Sequence, residues 1–279
     1  MKNKSPIILN CFSRGGSNIL WNYFLSHPDV CHPMRETLEI FKTKVLSNSW
    51  IGIKLLYIAK QDIFNQWNFK KRKPVNGSAK KFIDKVLFEQ KLKNYYDEEM
   101  IFKTQDLKYT KSEIEMSRLV MKNNNGLVYC TELFFDMYPD ATFIALIRNP
   151  IALYESHKRR NTPPAKSPQV FANYYKNIFK KMKEDSKKIK NYHLMKFEDL
   201  LLNPIGSLKS LYEKSGLDFR QIEKIRLKSK PFMNKYGTHE TKFIQNKHYW
   251  FSKNEIVEFL EPGVNDNQIA MLNSYDQKY

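Results

Sequence analysis

Residues 6–25 constrain this chain most. A short apolar run, Pro6–Phe12, meets the loop Ser13-Arg-Gly-Gly-Ser-Asn18 and then apolar residues at helical spacing, Ile19, Leu20, Phe24 and Leu25. The β-branched run predicts a buried parallel strand. The helix stops before His27-Pro28, because a residue ahead of proline is biased away from helical geometry. A glycine loop between a buried strand and a helix start makes an anion site, since backbone N–H groups converge there and the helix dipole favours negative charge. Gly15 and Gly16 let the backbone approach a ligand closely. Ser17 and Asn18 are placed to cap the helix or donate to phosphate oxygens, and Arg14 adds a permanent forked cation. An ordinary tight turn has the same outline, so the loop alone leaves both readings open.

The rest of the chain repeats the alternation. Arg118–Lys122 is expected to be a second short strand, and Leu127–Tyr138 a helix ended by Pro139-Asp140. Ala141–Arg148 is the strongest strand pattern, followed by Asn149-Pro150, with Pro at the start of a helix that runs to about Arg160. Tyr192–Phe197 is a further strand, and Pro204–Ser215 a helix with Gly216 as its C-terminal stop. Strands alternating with helices predict an α/β fold with a mainly parallel central sheet covered on both faces. Residues 42–117 differ: Trp50, Trp67, Tyr95 and Tyr96 lie among many lysines, including Lys70-Lys71-Arg72-Lys73. They are expected to form a basic helical insertion or cap on a single domain spanning 1–279, with a loop near Pro74–Ser78.

Composition narrows the function classes. Lys plus Arg is 47 and Asp plus Glu 29, a net charge of +18, which attracts anions without saying which. The chain is 42% apolar and carries only Cys11, Cys31 and Cys130, so it is expected to build an ordinary core with reduced thiols. The six histidines show no zinc spacing with the cysteines. The run Ile7–Phe12 is too short for a signal-peptide core, and no stretch approaches the about 18 apolar residues of a membrane span. A cytoplasmic protein that is not integral to a membrane is the expectation.

The loop is not a Walker A motif, because it lacks the G-x-x-x-x-G-K-[ST] pattern and its lysine. The strongest strand ends in Arg148, where many P-loop enzymes place a magnesium-binding aspartate. Arg148 and Ser156, eight residues apart, are positioned to converge on one anion.

These segments resemble the sulfotransferases that use 3′-phosphoadenylyl sulfate (PAPS). Ser13-Arg-Gly-Gly-Ser-Asn-Ile-Leu20 is similar to their 5′-phosphosulfate loop, and Phe143-Ile-Ala-Leu-Ile-Arg-Asn-Pro150 with Ser156 is similar to their 3′-phosphate motif. Tyr138-Pro-Asp-Ala141, and Lys196-Phe-Glu-Asp-Leu200 with Asn203-Pro204, fit in the same order. The chain departs from the pattern at Ser13, where proline is common, at Asn18, where threonine is usual, and in lacking a C-terminal Arg-Lys-Gly run, for which Lys242, Lys247 and Trp250 are possible stand-ins.

The resemblance implies a P-loop-like fold, PAPS as donor and 3′,5′-adenosine bisphosphate (PAP) as product, with no metal required. It implies that Arg14, Gly15, Gly16, Ser17 and Asn18 hold the 5′-phosphosulfate and that Arg148 and Ser156 hold the 3′-phosphate. Glu36, in a His-Pro…Glu-Thr context shared with the carbohydrate and tyrosylprotein branches, is the implied base. His32 is its rival, having the better intrinsic proton affinity for the task. Lys122 is similar to a lysine that steadies the leaving group, and Arg14 is grouped with it as catalytic. His157 is expected to face away from the nucleotide, and Arg159 and Arg160 to lie at the surface or meet an anionic acceptor such as a glycan. The implied acceptor is a carbohydrate, lipid-linked sugar or peptide hydroxyl. A nucleotide kinase on the same fold, and a basic nucleic-acid-binding protein, are the alternatives; the missing Walker lysine opposes the first, and no nucleic-acid-binding signature supports the second.

Overall fold

The structure is a computed structural model that describes residues 3, 5–41, 77–98, 101–103, 106–228 and 248–260. Five strands form a parallel sheet: β1 (Ile7–Cys11), β2 (Val30–Cys31), β3 (Arg118–Asn124), β4 (Thr142–Ile147) and β5 (Tyr192–Lys196), in the order β2-β3-β1-β4-β5. The register sets Leu9 opposite both Lys122 and Ile144, so β1 is hydrogen-bonded on both sides. The chain leaves β1 toward β2 and β3 on one side, then crosses to β4 and β5 on the other. The carboxyl end of β1 is therefore a topological switch point, where open α/β sheets bind ligands.

Alternation along the strands supplies two cores. Ile8, Met121, Phe143 and Ala145 face one cluster, with helices α3 (Gly77–Leu92), α5 (Thr131–Met137) and α7 (Pro168–Lys188). Ile7, Leu9, Cys11, Val120, Ile144 and Leu146 face the other, with α1 (Ser17–Leu25), α8 (Phe197–Leu202) and α9 (Pro204–Ser215). Sheets covered on both faces read as continuous apolar runs, which is why β1 is buried at every position. The remaining helices are α2 (Thr37–Phe41), α4 (Lys111–Met116), α6 (Pro150–Lys158) and α10 (Lys253–Leu260).

The expected elements appear with local corrections. β3 continues through Asn124, two residues past its expected end, and the predicted helix from Leu127 begins instead as a 3₁₀ turn, Asn125–Cys130, before α5. Asn125 has a positive φ of 57°, which breaks the chain between strand and turn. α9 spans its predicted residues and ends on Gly216 at φ 65°. A two-stranded antiparallel sheet, β6 (Lys224–Lys228) and β7 (His248–Ser252), had no sequence forecast, and its Ile225 and Phe251 join the second core. Of the basic middle region, residues 42–76 lie outside the described residues. α3, within that region, sends Ile83, Val86 and Leu87 into the first core. All three cysteines are buried and outside any disulfide, and burial pushes the thiols of Cys11 and Cys31 up to about 12 and about 11.

Candidate active site

The loop Ser13–Asn18 leaves the carboxyl end of β1 and opens α1. Two residues of left-handed backbone shape it: Arg14 has φ 66° and Gly16 φ 89°. Gly15 N–H donates to the Phe12 carbonyl at 3.1 Å, and a Cβ on Gly15 would sit 3.0 Å from that same oxygen. A Cβ on Gly16 would overlap the Phe197 ring, so this glycine is demanded by both its φ and its neighbour. No side-chain bond caps the start of α1, and Ser17 is buried there. The first-turn N–H groups of a helix have no carbonyl one turn earlier to bond. They therefore present donors at the positive end of the helix dipole.

Two groups of side chains flank this loop. On one side, Arg14 Nε lies 3.3 Å from Ser156 Oγ, and Arg148 Nη1 donates to the Arg14 carbonyl at 2.8 Å. The Arg148 guanidinium also covers the Phe197 ring at 4.9 Å. Tyr175 OH donates to the Arg148 carbonyl at 3.1 Å, and Asn149 N–H donates to Glu198 Oε1 at 2.9 Å. Burial lowers the proton affinity of Arg14, and the charges of Arg160 and Arg159 lower it further. Burial likewise lowers that of Arg148; Glu198 opposes this, while Arg159 and Arg14 add to it. Arg14 and Arg148 thus both sit under the repulsion of nearby guanidiniums, a repulsion that a bound anion relieves.

On the other side, Lys122 Nζ lies 2.6 Å from Glu36 Oε1, donates to Asn18 Oδ1 and covers the Trp21 ring at 4.2 Å. Lys122 is 1% exposed and Glu36 37%, so a buried ammonium meets a carboxylate that reaches solvent. Burial lowers the proton affinity of Lys122, and Glu36 pulls it back up. The second Glu36 oxygen accepts from Asn124 Nδ2 at 2.9 Å. β3 therefore supplies both groups that hold the carboxylate, two residues apart on one face.

His32 does not share this chemistry. It is buried, its Nδ1–H donates to the Pro33 carbonyl, and its ring meets Trp21 edge-on at 5.0 Å. Burial, with the charges of Arg226 and Lys122, drives its proton affinity down to about 3. A neutral imidazole with such weak basicity is a poor base, which leaves Glu36 as the candidate. Arg159 and Arg160 are exposed at the end of α6. Trp250 lies over Arg226 at 6.0 Å in the β6–β7 hairpin, and Lys242 and Lys247 lie outside the described residues. His157 is buried and reaches the Ser13 carbonyl.

Sequence reasoning missed several supports. Trp21 carries the face under Lys122, Asn124 holds Glu36, and Phe197 floors Gly16. Only Phe197 stood in a segment with a signal of its own, Lys196-Phe-Glu-Asp-Leu200.

A parallel sheet with a glycine loop between a buried strand and a helix start at its switch point defines an α/β protein. The chain matches the sulfotransferase family over residues 6–221 and belongs to that family. Among solved structures it is similar to the sulfotransferase domain of the Synechococcus PCC 7002 olefin synthase, with 20% identity, a TM-score of 0.46, and coverage of 80% of this chain and 78% of that one. It is also similar to the sulfotransferase domain of the curacin biosynthetic pathway, with 16% identity, a TM-score of 0.46, and coverage of 79% and 77%. A sulfotransferase from Alicyclobacillus acidocaldarius shows 12% identity and a TM-score of 0.42 over 96% of each chain. No curated protein sequence gave a match. Among the described residues, no helix is long and apolar enough to cross a membrane, and no group of three or more His, Cys, Asp or Glu is arranged to hold a metal ion.

Proposed function

We propose that the chain moves a sulfuryl group from PAPS to a hydroxyl acceptor and releases PAP. The observation that carries this reading is the division of the loop's surroundings into two groups of different character: the guanidiniums of Arg14 and Arg148 with Ser156 on one side, and the Lys122–Glu36 ion pair on the other. The donor set fits a bisphosphorylated nucleotide, because backbone N–H groups and forked guanidiniums are the natural partners of phosphate oxygens. Bound PAPS supplies an activated sulfuryl group whose departure leaves charge on a phosphate.

Gly15, Gly16, Ser17 and Asn18 hold the 5′ end at the start of α1, and Arg148 and Ser156 hold the 3′-phosphate. Arg14 leans toward Ser156, so it bridges the two ends rather than serving the 5′ end alone. Glu36 accepts the acceptor hydroxyl's proton at the carboxylate oxygen that Lys122 touches in the free protein. Lys122, only lightly solvated, gives its ammonium to the developing charge, where a fixed cation out of water acts most strongly. Positioning and electrostatics supply most of the rate, as in phosphoryl transfer, and none of these roles requires a metal. The partly exposed Glu36 suits acceptors presented from solvent, a carbohydrate, lipid-linked sugar or peptide hydroxyl.

The test is transfer of radiolabelled sulfate from PAPS to a panel of glycans, glycolipids and peptides, with PAP release followed in parallel. Labelled product that disappears in Glu36→Gln supports the reading. Absence of both product and PAP across the panel, in a protein shown to be folded, contradicts it.

A further inference from the structure

His157 and Ser156 are consecutive on α6, and they contact consecutive residues of the donor loop. Ser156 Oγ meets Arg14 Nε at 3.3 Å, and His157 Nε2 meets the Ser13 carbonyl at 2.9 Å. The imidazole is 1% exposed and packs against the rings of Phe171 at 5.7 Å and Tyr174 at 5.9 Å. Its Nδ1 lies 2.6 Å from Thr162 Oγ1. A carbonyl only accepts, so Nε2 carries the hydrogen toward Ser13, and the Thr162 hydroxyl is shared between Nδ1 and the His157 carbonyl, the latter at 3.2 Å. The other edge of Ser13 is also held by a side chain, for its N–H donates to Asn125 Oδ1 at 2.8 Å, an oxygen that Tyr174 OH shares. Both backbone polar groups of Ser13 are thus pinned by side chains from distant segments, in place of the sheet ladder that ends at Cys11.

We propose that His157 is a positioning residue for the donor loop, setting the Ser13–Arg14 peptide so that the 3′-phosphate helix and the 5′ loop move as one body. A trans peptide is planar, so fixing the Ser13 carbonyl fixes the Arg14 N–H on the opposite edge. The next carbonyl, that of Arg14, is held by Arg148. Two successive peptides of the loop are therefore oriented by residues of the 3′ half, which holds Arg14 in its left-handed backbone, a conformation that non-glycine residues rarely keep unaided. The groups charged toward the imidazole are Arg14 and Arg148; they act with burial to keep it neutral, against the Ser13 carbonyl.

This inference rests on the donor reading above, and the experiment separates the two. Binding of adenosine 3′,5′-bisphosphate and of adenosine 5′-monophosphate is measured by calorimetry for the wild type, His157→Ala and His157→Gln. The monophosphate lacks the group that Ser156 and Arg148 would hold, so it reports the 5′ loop alone. His157→Ala is expected to weaken both ligands about tenfold, and His157→Gln, whose amide reaches the place of Nε2–H, to stay within about threefold of wild type. Wild-type binding with no change in His157→Ala, a loss confined to the bisphosphate, or a Gln variant as damaged as the Ala variant would each overturn the inference alone. A wild type that binds neither nucleotide removes the donor reading and this inference with it. Should the Ala variant fail to fold, nitrogen-15 NMR of the wild-type imidazole decides: the hydrogen on Nε2 is expected, and a hydrogen on Nδ1 alone would overturn the assignment.

Discussion

The Lys122 ammonium lies 2.6 Å from Glu36 Oε1, so the group assigned to the leaving phosphate and the group assigned to the acceptor proton neutralise each other in the free protein. On the proposed reading, one ammonium serves the carboxylate before the donor arrives and the donor afterwards. Glu36→Gln is therefore expected to cut transfer about 100-fold or more, the usual scale for a lost base, while bisphosphate affinity holds or improves as Lys122 is released. Lys122→Met is expected to cut transfer about 100-fold and to weaken the bisphosphate only modestly. Steady-state transfer alongside calorimetry checks both; a Glu36→Gln enzyme with unchanged turnover would remove Glu36 from the chemistry.

Gly16 and Gly216 both have positive φ, but their surroundings differ. A side chain on Gly16 meets the Phe197 ring, whereas one on Gly216 meets nothing within 4 Å. Gly216→Ala is expected to cost about 1 kcal/mol through backbone strain alone and to leave nucleotide binding intact. Gly16→Ala adds overlap to strain, about 2 kcal/mol or more in total, and is expected to abolish bisphosphate binding. Chemical denaturation and calorimetry on the two variants check the contrast.

His32 gives a pH dependence with a definite sign. Its proton affinity is down to about 3 in the fold, below the 6.5 of an ordinary imidazole. Below about pH 6.5 the unfolded chain gains a proton that the folded chain refuses, so stability is present above that pH and lost as pH falls toward 3. The expected loss from this group between pH 7 and pH 5 is about 2 kcal/mol. His27 and His157 are also lowered, chiefly by burial, and act in the same direction. Urea denaturation at the two pH values should show a smaller acid loss in His32→Gln than in the wild type; an equal loss would contradict a neutral buried imidazole at this position.

Much of this architecture was legible in local pattern. The strand, loop and first helix follow from Pro6–Leu25, and α9 from a proline at its start and a glycine at its end. Glu36, Lys122 and Asn18 were each picked out by resemblance, but their meeting depends on the register that sets Lys122 opposite Leu9 on β1. The link from His157 to Ser13 spans 144 residues and leaves no periodicity behind it. β2 is only two residues long, and the β6–β7 pair joins strands separated by 229–247, so neither carries a local signal strong enough to read. The burial of His32 was equally invisible, because it comes from Trp21 on α1 and from a neighbour across the fold: Asn94, which donates to its carbonyl.

The most direct test of the central claim is calorimetry of adenosine 3′,5′-bisphosphate without magnesium, against ATP with magnesium, on the wild type and Arg148→Ala. Arg148 is held between the Arg14 carbonyl and the Phe197 ring, so its loss removes both the cation proposed to meet the 3′-phosphate and a support of the loop. Metal-independent bisphosphate binding that exceeds binding of magnesium ATP and falls at least about 30-fold in the variant is the expected result. A preference for magnesium ATP, or bisphosphate binding untouched by the loss of Arg148, would contradict it.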